Sequence, residues 1–329
     1  MKSRDHSNDG RTYREAYGFS EEPFALNPDP KYLFLAPTHS EALSFMLSGI
    51  ENRRGVVVIT GEAGVGKTLL VYALLKNLGE KIKAAFVFNP RLDLKSILEN
   101  IFRELGLPIR EQGENLYSLL IRFRTTLHES LKQSETVAIV VDEAQSLEEE
   151  VLEGLFRLAT PESIGANSLQ ILLVGHPDLE AKLSAERFGS FKGRISVKGR
   201  INPLTPQEGQ DYISYRLKLA GRNISEVFTK ESIDKILKFA EGNPRVINLA
   251  CDRALATGFH ESSPMIDLKI AKKALKDLDH LRVRRSKIPS QLLFLRKEPW
   301  SKIIRILFFL LSTAVFFLSL NEIFSRLRQ

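Results

Sequence analysis

Gly61-Glu62-Ala63-Gly64-Val65-Gly66-Lys67-Thr68 follows the apolar run Val56-Val57-Val58-Ile59-Thr60 and precedes Leu69-Leu70-Val71-Tyr72-Ala73-Leu74-Leu75. These eight residues satisfy G-x-x-x-x-G-K-[ST] at every fixed position, in the strand–loop–helix setting the pattern requires. Gly61, Gly64 and Gly66 open backbone conformations closed to side-chain-bearing residues, so successive N–H groups can turn toward a phosphate. A helix starting near Lys67 adds the positive end of its dipole. Lys67 is placed to reach the β- and γ-phosphates, and the Thr68 hydroxyl to ligate Mg²⁺. The candidate nucleotide contacts are therefore Gly61, Glu62, Ala63, Gly64, Val65, Gly66, Lys67, Thr68 and Leu69.

A second apolar run, Val137-Ala138-Ile139-Val140-Val141, ends in Asp142-Glu143. Such a run suits a parallel strand covered on both faces, and α/β sheets bind ligands at the carboxyl ends of their strands. Asp142 would hold Mg²⁺ through water. Glu143 would orient or deprotonate an attacking water as a general base. Together the two segments point to ATP with Mg²⁺ and to hydrolysis.

At 329 residues the chain can hold two packed units with appendages, and its 43% apolar and 26% charged fractions are those of a globular protein. Cys251 is the only cysteine. That excludes an intrachain disulfide, fits a reducing compartment, and, beside Leu249, Ala250 and Ala254, suggests a buried thiol. The net charge of +7 is local: Arg282, Arg284, Arg285, Lys287, Arg296, Lys297, Lys302 and Arg305 face only Glu298 between Leu281 and Arg305. The rest of the chain is close to neutral, which argues against a broad nucleic-acid-binding field. Next comes Ile303–Leu320, IIRILFFLLSTAVFFLSL, with Arg305 its only charge. As a helix it would span about 27 Å, just short of a roughly 30 Å hydrocarbon core. It reads as a transmembrane helix, or alternatively as a buried helix of the globular part. The basic residues ahead of it put the nucleotide-binding part in the cytoplasm.

Apolar spacing predicts helices over 40–52, 94–105, 115–133 and 149–158, and strands over 83–88 and 169–174 besides the two runs above. Strands alternating with helices predict an α/β, doubly wound parallel sheet. After Pro203-Leu204 only helical spacing is found, over 207–220, 230–240, 244–259 and 267–278. The expected organisation is a polar, disordered stretch at 1–16, a base at 17–205, a helical unit at 206–280 and a basic linker at 281–302. The apolar span at 303–320 and a tail at 321–329 complete it. Within the base, 17–36 reads as a Phe- and Pro-rich arm packed on the core.

These residues resemble the general secretion pathway protein A (ExeA-type) branch of AAA+ ATPases. The resemblance rests on Tyr17-Gly18-Phe19, Pro23-Phe24 and Pro28-Asp29-Pro30, on His39 with Glu41-Ala42-Leu43, and on Leu204-Thr205-Pro206. It rests further on Gly242-Asn243-Pro244-Arg245 with Cys251-Asp252-Arg253, and covers about residues 15–278. It implies a P-loop AAA+ base with an all-helical lid, working as a homo-oligomer with ATP at subunit interfaces. It makes Arg245 the sensor-2 arginine and Arg194 a finger reaching a neighbour's nucleotide, with Arg200 as rival. His176 stands at the sensor-1 position, where the family usually carries glutamine, and is either a water-holding imidazole or structural. Family members continue into a peptidoglycan-binding domain, whereas nine residues follow Leu320 here, so a partner protein is expected to act beyond the membrane.

The expected function is that of a single-pass ATPase of the bacterial inner membrane that assembles or remodels a secretion or pilus-like complex. No nucleic-acid partner is expected. Two alternatives stay open: a DNA-associated ATPase of the transposition-accessory type, and a nucleotide-dependent scaffold with slow turnover.

Overall fold

Five parallel strands form one sheet in the order β2-β3-β4-β1-β5, in a computed structural model that describes residues 12–109, 114–159 and 169–278. They are β1 (Val56–Gly61), β2 (Ile82–Val87), β3 (Thr136–Val141), β4 (Leu169–Gly175) and β5 (Ile195–Ile201). The central strands β1, β3 and β4 are buried along their whole length, as unbroken Val, Ile and Leu runs require of strands covered on both faces. Alternate residues serve opposite faces. Val56, Val58, Ile139 and Leu173 join one apolar cluster, whereas Val57, Ile59, Val140 and Leu172 join another.

A single helical turn, α1 (Tyr13–Ala16), opens the described chain, and α2 (Pro37–Glu51) and α3 (Lys67–Asn77) follow. Met46 and Ile50 of α2 and Leu70 and Leu74 of α3 cover one sheet face. The other face is covered by α4 (Leu94–Glu104), α5 (Leu116–Lys132) and α6 (Glu149–Leu158), through Ile97, Ile101, Phe123, Leu127, Leu152 and Leu155. After β4, a short α7 (Asp178–Ser184) and a 3₁₀ segment, Glu186–Arg194, lead into β5. Neither α7 nor β5 is among the elements expected from spacing. In β5 the apolar positions are broken by Ser196, Lys198, Gly199 and Arg200, and every second residue is exposed. Gly199 is required by close approach of α2: a Cβ there would lie 2.8 Å from Ile59 Cδ1 and 3.0 Å from Phe45 Cδ2.

Beyond the sheet lie α8 (Pro206–Leu219), α9 (Ile224–Val227), α10 (Lys230–Ala240), α11 (Pro244–His260) and α12 (Leu268–Lys276). Their starts follow from caps. Thr205, Thr229, Asn243 and Asp267 each accept a first-turn N–H, and Pro206 and Pro244 occupy the first helical position. Cys251 is wholly buried among them and burial pushes its thiol pKa up, as expected of a structural cysteine.

The N-terminal arm packs with this helical unit. Tyr17, Phe19, Phe24 and Ala36 share an apolar cluster with Ile213, Leu217, Ile236, Leu255 and Ile270. Residues 12–16, expected to be disordered, carry α1, whose Tyr13 hydroxyl donates to Asp252 Oδ1 at 2.5 Å. Buried Arg216 of α8 straps the arm down. It donates from Nε to the Pro23 carbonyl at 2.5 Å, from Nη2 to the Ala25 carbonyl at 3.0 Å and from Nη1 to the Tyr212 hydroxyl at 3.0 Å. Its guanidinium also stacks 4.1 Å from the Tyr32 ring centre. The apolar stretch 303–320 lies outside the described residues. Among the described residues no helix is long and apolar enough to cross a membrane.

Two expectations follow. Replacing Arg216 by Met leaves a buried and a half-buried carbonyl without their donor, so urea unfolding should report a loss of about 2–3 kcal/mol. Limited proteolysis should then cut within 17–36, where the wild-type arm resists. The second concerns His39, in the first turn of α2, which is buried and donates from Nε2 to the Val65 carbonyl at 2.8 Å. Its Nδ1 has no partner among the described residues, and burial holds its pKa below the usual imidazole value. The unfolded chain therefore takes up this proton first, and stability should fall as pH drops below about 6.5. Thermal melts between pH 7 and 5 should show that loss in the wild type and less of it in His39→Gln.

Candidate functional site

The site is built at the carboxyl ends of β1, β3 and β4. Gly64 and Gly66 adopt left-handed φ values of +84° and +100°, which bend the chain from β1 into α3. Lys67, buried in the first turn of α3, folds back over this loop and donates to the carbonyls of Gly61 at 2.9 Å and Glu62 at 3.0 Å. Burial pushes its ammonium pKa down, against the opposing charges of Glu143, Asp142 and Glu62.

β4 lies between β1 and β3, yet the end of β3 reaches the loop. Thr68 Oγ1 donates to Asp142 Oδ2 at 2.5 Å, and the Glu143 N–H donates to Asp142 Oδ1 at 2.8 Å. Burial holds the Asp142 carboxyl above the usual carboxylate range, and those two hydrogen bonds oppose the shift. A hydroxyl and a carboxylate this close are hard oxygen donors. They fit Mg²⁺, which takes one or two protein ligands and fills its octahedron with phosphate oxygens and water. Among the described residues no group of three or more His, Cys, Asp or Glu gathers as a self-sufficient metal cage.

Glu143 sits in the left-handed region at φ +52° and its Oε2 accepts from Gln145 Nε2 at 2.6 Å. Gln145 Oε1 in turn accepts the His176 N–H at 2.9 Å. The His176 ring lies 3.1 Å from Glu62 Oε2 through Nε2 and 3.0 Å from Asp178 Oδ2 through Nδ1. His176 thus touches the phosphate loop itself, through Glu62.

The third side comes from the lid and the arm. Asn243 caps α11 through its Oδ1 and donates from Nδ2 to the Ala63 carbonyl at 2.7 Å. The Arg245 N–H donates to the Gly64 carbonyl at 3.3 Å. A Cβ on Gly64 would lie 2.7 Å from Asn243 Oδ1, so the fit depends on glycine there as well as on its φ. Loop, lid and arm enclose a cleft of about 390 Å³ lined by Ala63 to Leu69, Glu143, Arg245, Tyr212, Arg216 and arm residues from Ala25 to Phe34. That size is within the range of small-ligand sites.

Most of the expected residues converge here. Ala63, Gly64, Val65, Gly66, Lys67, Thr68, Leu69, Glu143 and Arg245 line the cleft. Gly61 and Glu62 reach it through Lys67, and Asp142 through Thr68. Arg194 does not come to this cleft: it ends the 3₁₀ segment ahead of β5, and its Nη1 donates to the Ala159 carbonyl at 3.4 Å. Its backbone lies by Gly55, at the amino end of β1 and so at the opposite end of the strands from the cleft. Reasoning from spacing missed Gln145, Asn243 and the arm as a wall. Asn243-Pro244 was legible as a helix start. Gln145 carried no signal beyond standing two residues after Glu143.

Residues 50–183 match the model of an AAA domain family, AAA_22. The chain is 34% identical over 254 residues to general secretion pathway protein A of Aeromonas hydrophila, covering 77% of this chain and 46% of that protein. It thus spans less than half the length of that relative. In fold it is similar to the ORC2 protein of Aeropyrum pernix (TM-score 0.60, 22% identity, 78% of this chain and 72% of the other). It is likewise similar to Cdc6p of Pyrobaculum aerophilum (TM-score 0.63, 19% identity, 78% and 70%). Residues 50–183 thus carry an AAA domain, and the chain resembles general secretion pathway protein A in sequence.

Proposed function

We propose that this chain is a Mg-ATP-hydrolysing AAA+ ATPase that works as a homo-oligomer, anchored to the bacterial inner membrane with its nucleotide site in the cytoplasm. The observation that carries the reading is the meeting of Thr68, Asp142 and Glu143 beside Lys67. Lys67 would exchange its two loop carbonyls for phosphate oxygens, recovering the ion pair its burial lacks. Thr68 and Asp142 would hold Mg²⁺, which when bound spreads the phosphate charge. Glu143 would take the proton of the attacking water, and Arg245 would face the γ-phosphate from the lid. Arg194, remote from its own cleft, is suited to serve a neighbouring copy as a finger.

The energy would be used to assemble or remodel a secretion or envelope complex, a reading drawn from the likeness to general secretion pathway protein A. The membrane anchor rests on the apolar sequence 303–320 and the basic residues ahead of it. The proposed organisation is a base up to 205, a lid over 206–280, a linker over 281–302 and a span over 303–320. The arm, within the proposed base by sequence, packs with the lid.

Lys67→Ala should abolish binding of a fluorescent ATP analogue, whereas Glu143→Gln should bind it like the wild type and lose at least about 100-fold in turnover. Full turnover by Glu143→Gln would sink the reading. A specific rate that rises with protein concentration is expected of sites shared between subunits, and a flat one would favour a scaffold. The rival reading, a DNA-associated ATPase, is favoured by Lys269, Lys272, Lys273 and Lys276 along α12. It predicts salt-sensitive duplex binding by the full chain. Our reading predicts no retention of duplex DNA at physiological salt.

A further inference from the structure

The geometry points to Gln145 as the positioning residue that aims the Glu143 carboxylate, holding it in register with the end of β4. This rests on Glu143 acting as the base. The Gln145 amide spans two fixed points: its oxygen accepts the His176 N–H at 2.9 Å and its nitrogen donates to Glu143 Oε2 at 2.6 Å. The two ends are not interchangeable. A backbone N–H demands the oxygen and a carboxylate demands the nitrogen, so one orientation of the amide is set. Neither Glu nor Leu reproduces that pairing, because Glu offers no donor to a second carboxylate and Leu offers neither group.

The rest of the turn leaves Gln145 little freedom. It lies in the 3₁₀ turn Ala144–Ser146, which Lys182 grips from the other side by donating to the carbonyls of Gln145 and Leu147, both at 2.7 Å. Against β4 there is no slack. A Cβ on Gly175 would lie 2.6 Å from Gln145 Oε1 and 3.2 Å from the Gln145 backbone nitrogen. Gly175 takes no left-handed φ among the described residues, so what it supplies is room for this amide. Glu143, at φ +52° on an exposed corner, has its carboxylate held, among the described residues, by that amide contact. His176 completes the line by touching Glu62 in the phosphate loop. Glu62, His176, Gln145 and Glu143 thus form a continuous polar chain from loop to base, and Gln145 is the link that fixes an angle.

The test is steady-state hydrolysis of Mg-ATP by the full chain, in Gln145→Leu, Gly175→Ala, Glu143→Gln and the double variant Gln145→Leu/Glu143→Gln. A misaimed base costs turnover and not binding, so kcat should fall about 10- to 100-fold in Gln145→Leu with KM for ATP within about twofold of wild type. Gly175→Ala, which displaces the amide oxygen without deleting any polar group, should give the same split. It decides the question if Gln145→Leu fails to fold. The double variant should be no slower than Glu143→Gln alone, because an aimed group that is gone cannot be misaimed. Wild-type kcat in the folded Gln145→Leu, or equal losses in kcat and KM, overturns the role of Gln145 while leaving the assignment of Glu143 standing. Additive losses in the double variant overturn it equally. Wild-type turnover in Glu143→Gln overturns the assignment of the base itself.

Discussion

The hydrogen bond from Thr68 to Asp142 is the constraint on which the other features of the site depend. It joins the first turn of a helix that follows β1 to the end of a strand two places away in the sheet. That meeting spans the intervening β4 and needs β1 and β3 to end on the same side of the sheet. The same arrangement brings His176, the first residue after β4, to the side of the phosphate loop. Burial raises the pKa of this Asp142 carboxyl even though both of its oxygens accept hydrogen bonds.

Much of this was legible from residues alone, for reasons that differ by element. The loop and its flanks could be read because the chemistry admits few alternatives at Gly64, Gly66, Lys67 and Thr68. β3 and β4 could be read because strands covered on both faces are dominated by apolar residues. The lid helices could be read because their apolar residues recur at helical spacing, and in the structure Thr205, Thr229, Asn243 and Asp267 cap them. β5 was missed because an edge strand that exposes Ser196, Lys198 and Arg200 resembles a loop, and because Gly199 answers to Phe45 on a distant helix. No local pattern encodes such a contact.

The arm shows a different limit. Its Phe and Pro residues announced packing against something, but the partner is set by Arg216, nearly two hundred residues downstream. A guanidinium that satisfies two arm carbonyls and stacks on Tyr32 has no signature in the sequence around either end. The consequence for the site is direct: one wall of the cleft is made of residues that precede the whole sheet in the chain. Gln145 is similar in kind, since the N–H it accepts is that of His176, just past the end of β4.

Because the arm shares its apolar core with the helices after β5, the lid is assembled from both ends of the described chain. The polypeptide therefore passes between lid and sheet twice, once near Ala36-Pro37 and once near Asn202-Pro203. These crossings lie side by side, with the Asn202 N–H donating to Thr38 Oγ1 at 3.4 Å. A body held by one crossing can swivel about a point, whereas a body held by two adjacent crossings turns about the line through them. Any opening of this lid as a rigid body is thereby limited to a door-like swing about a single axis, and the carbonyls of Ala63 and Gly64 form the latch.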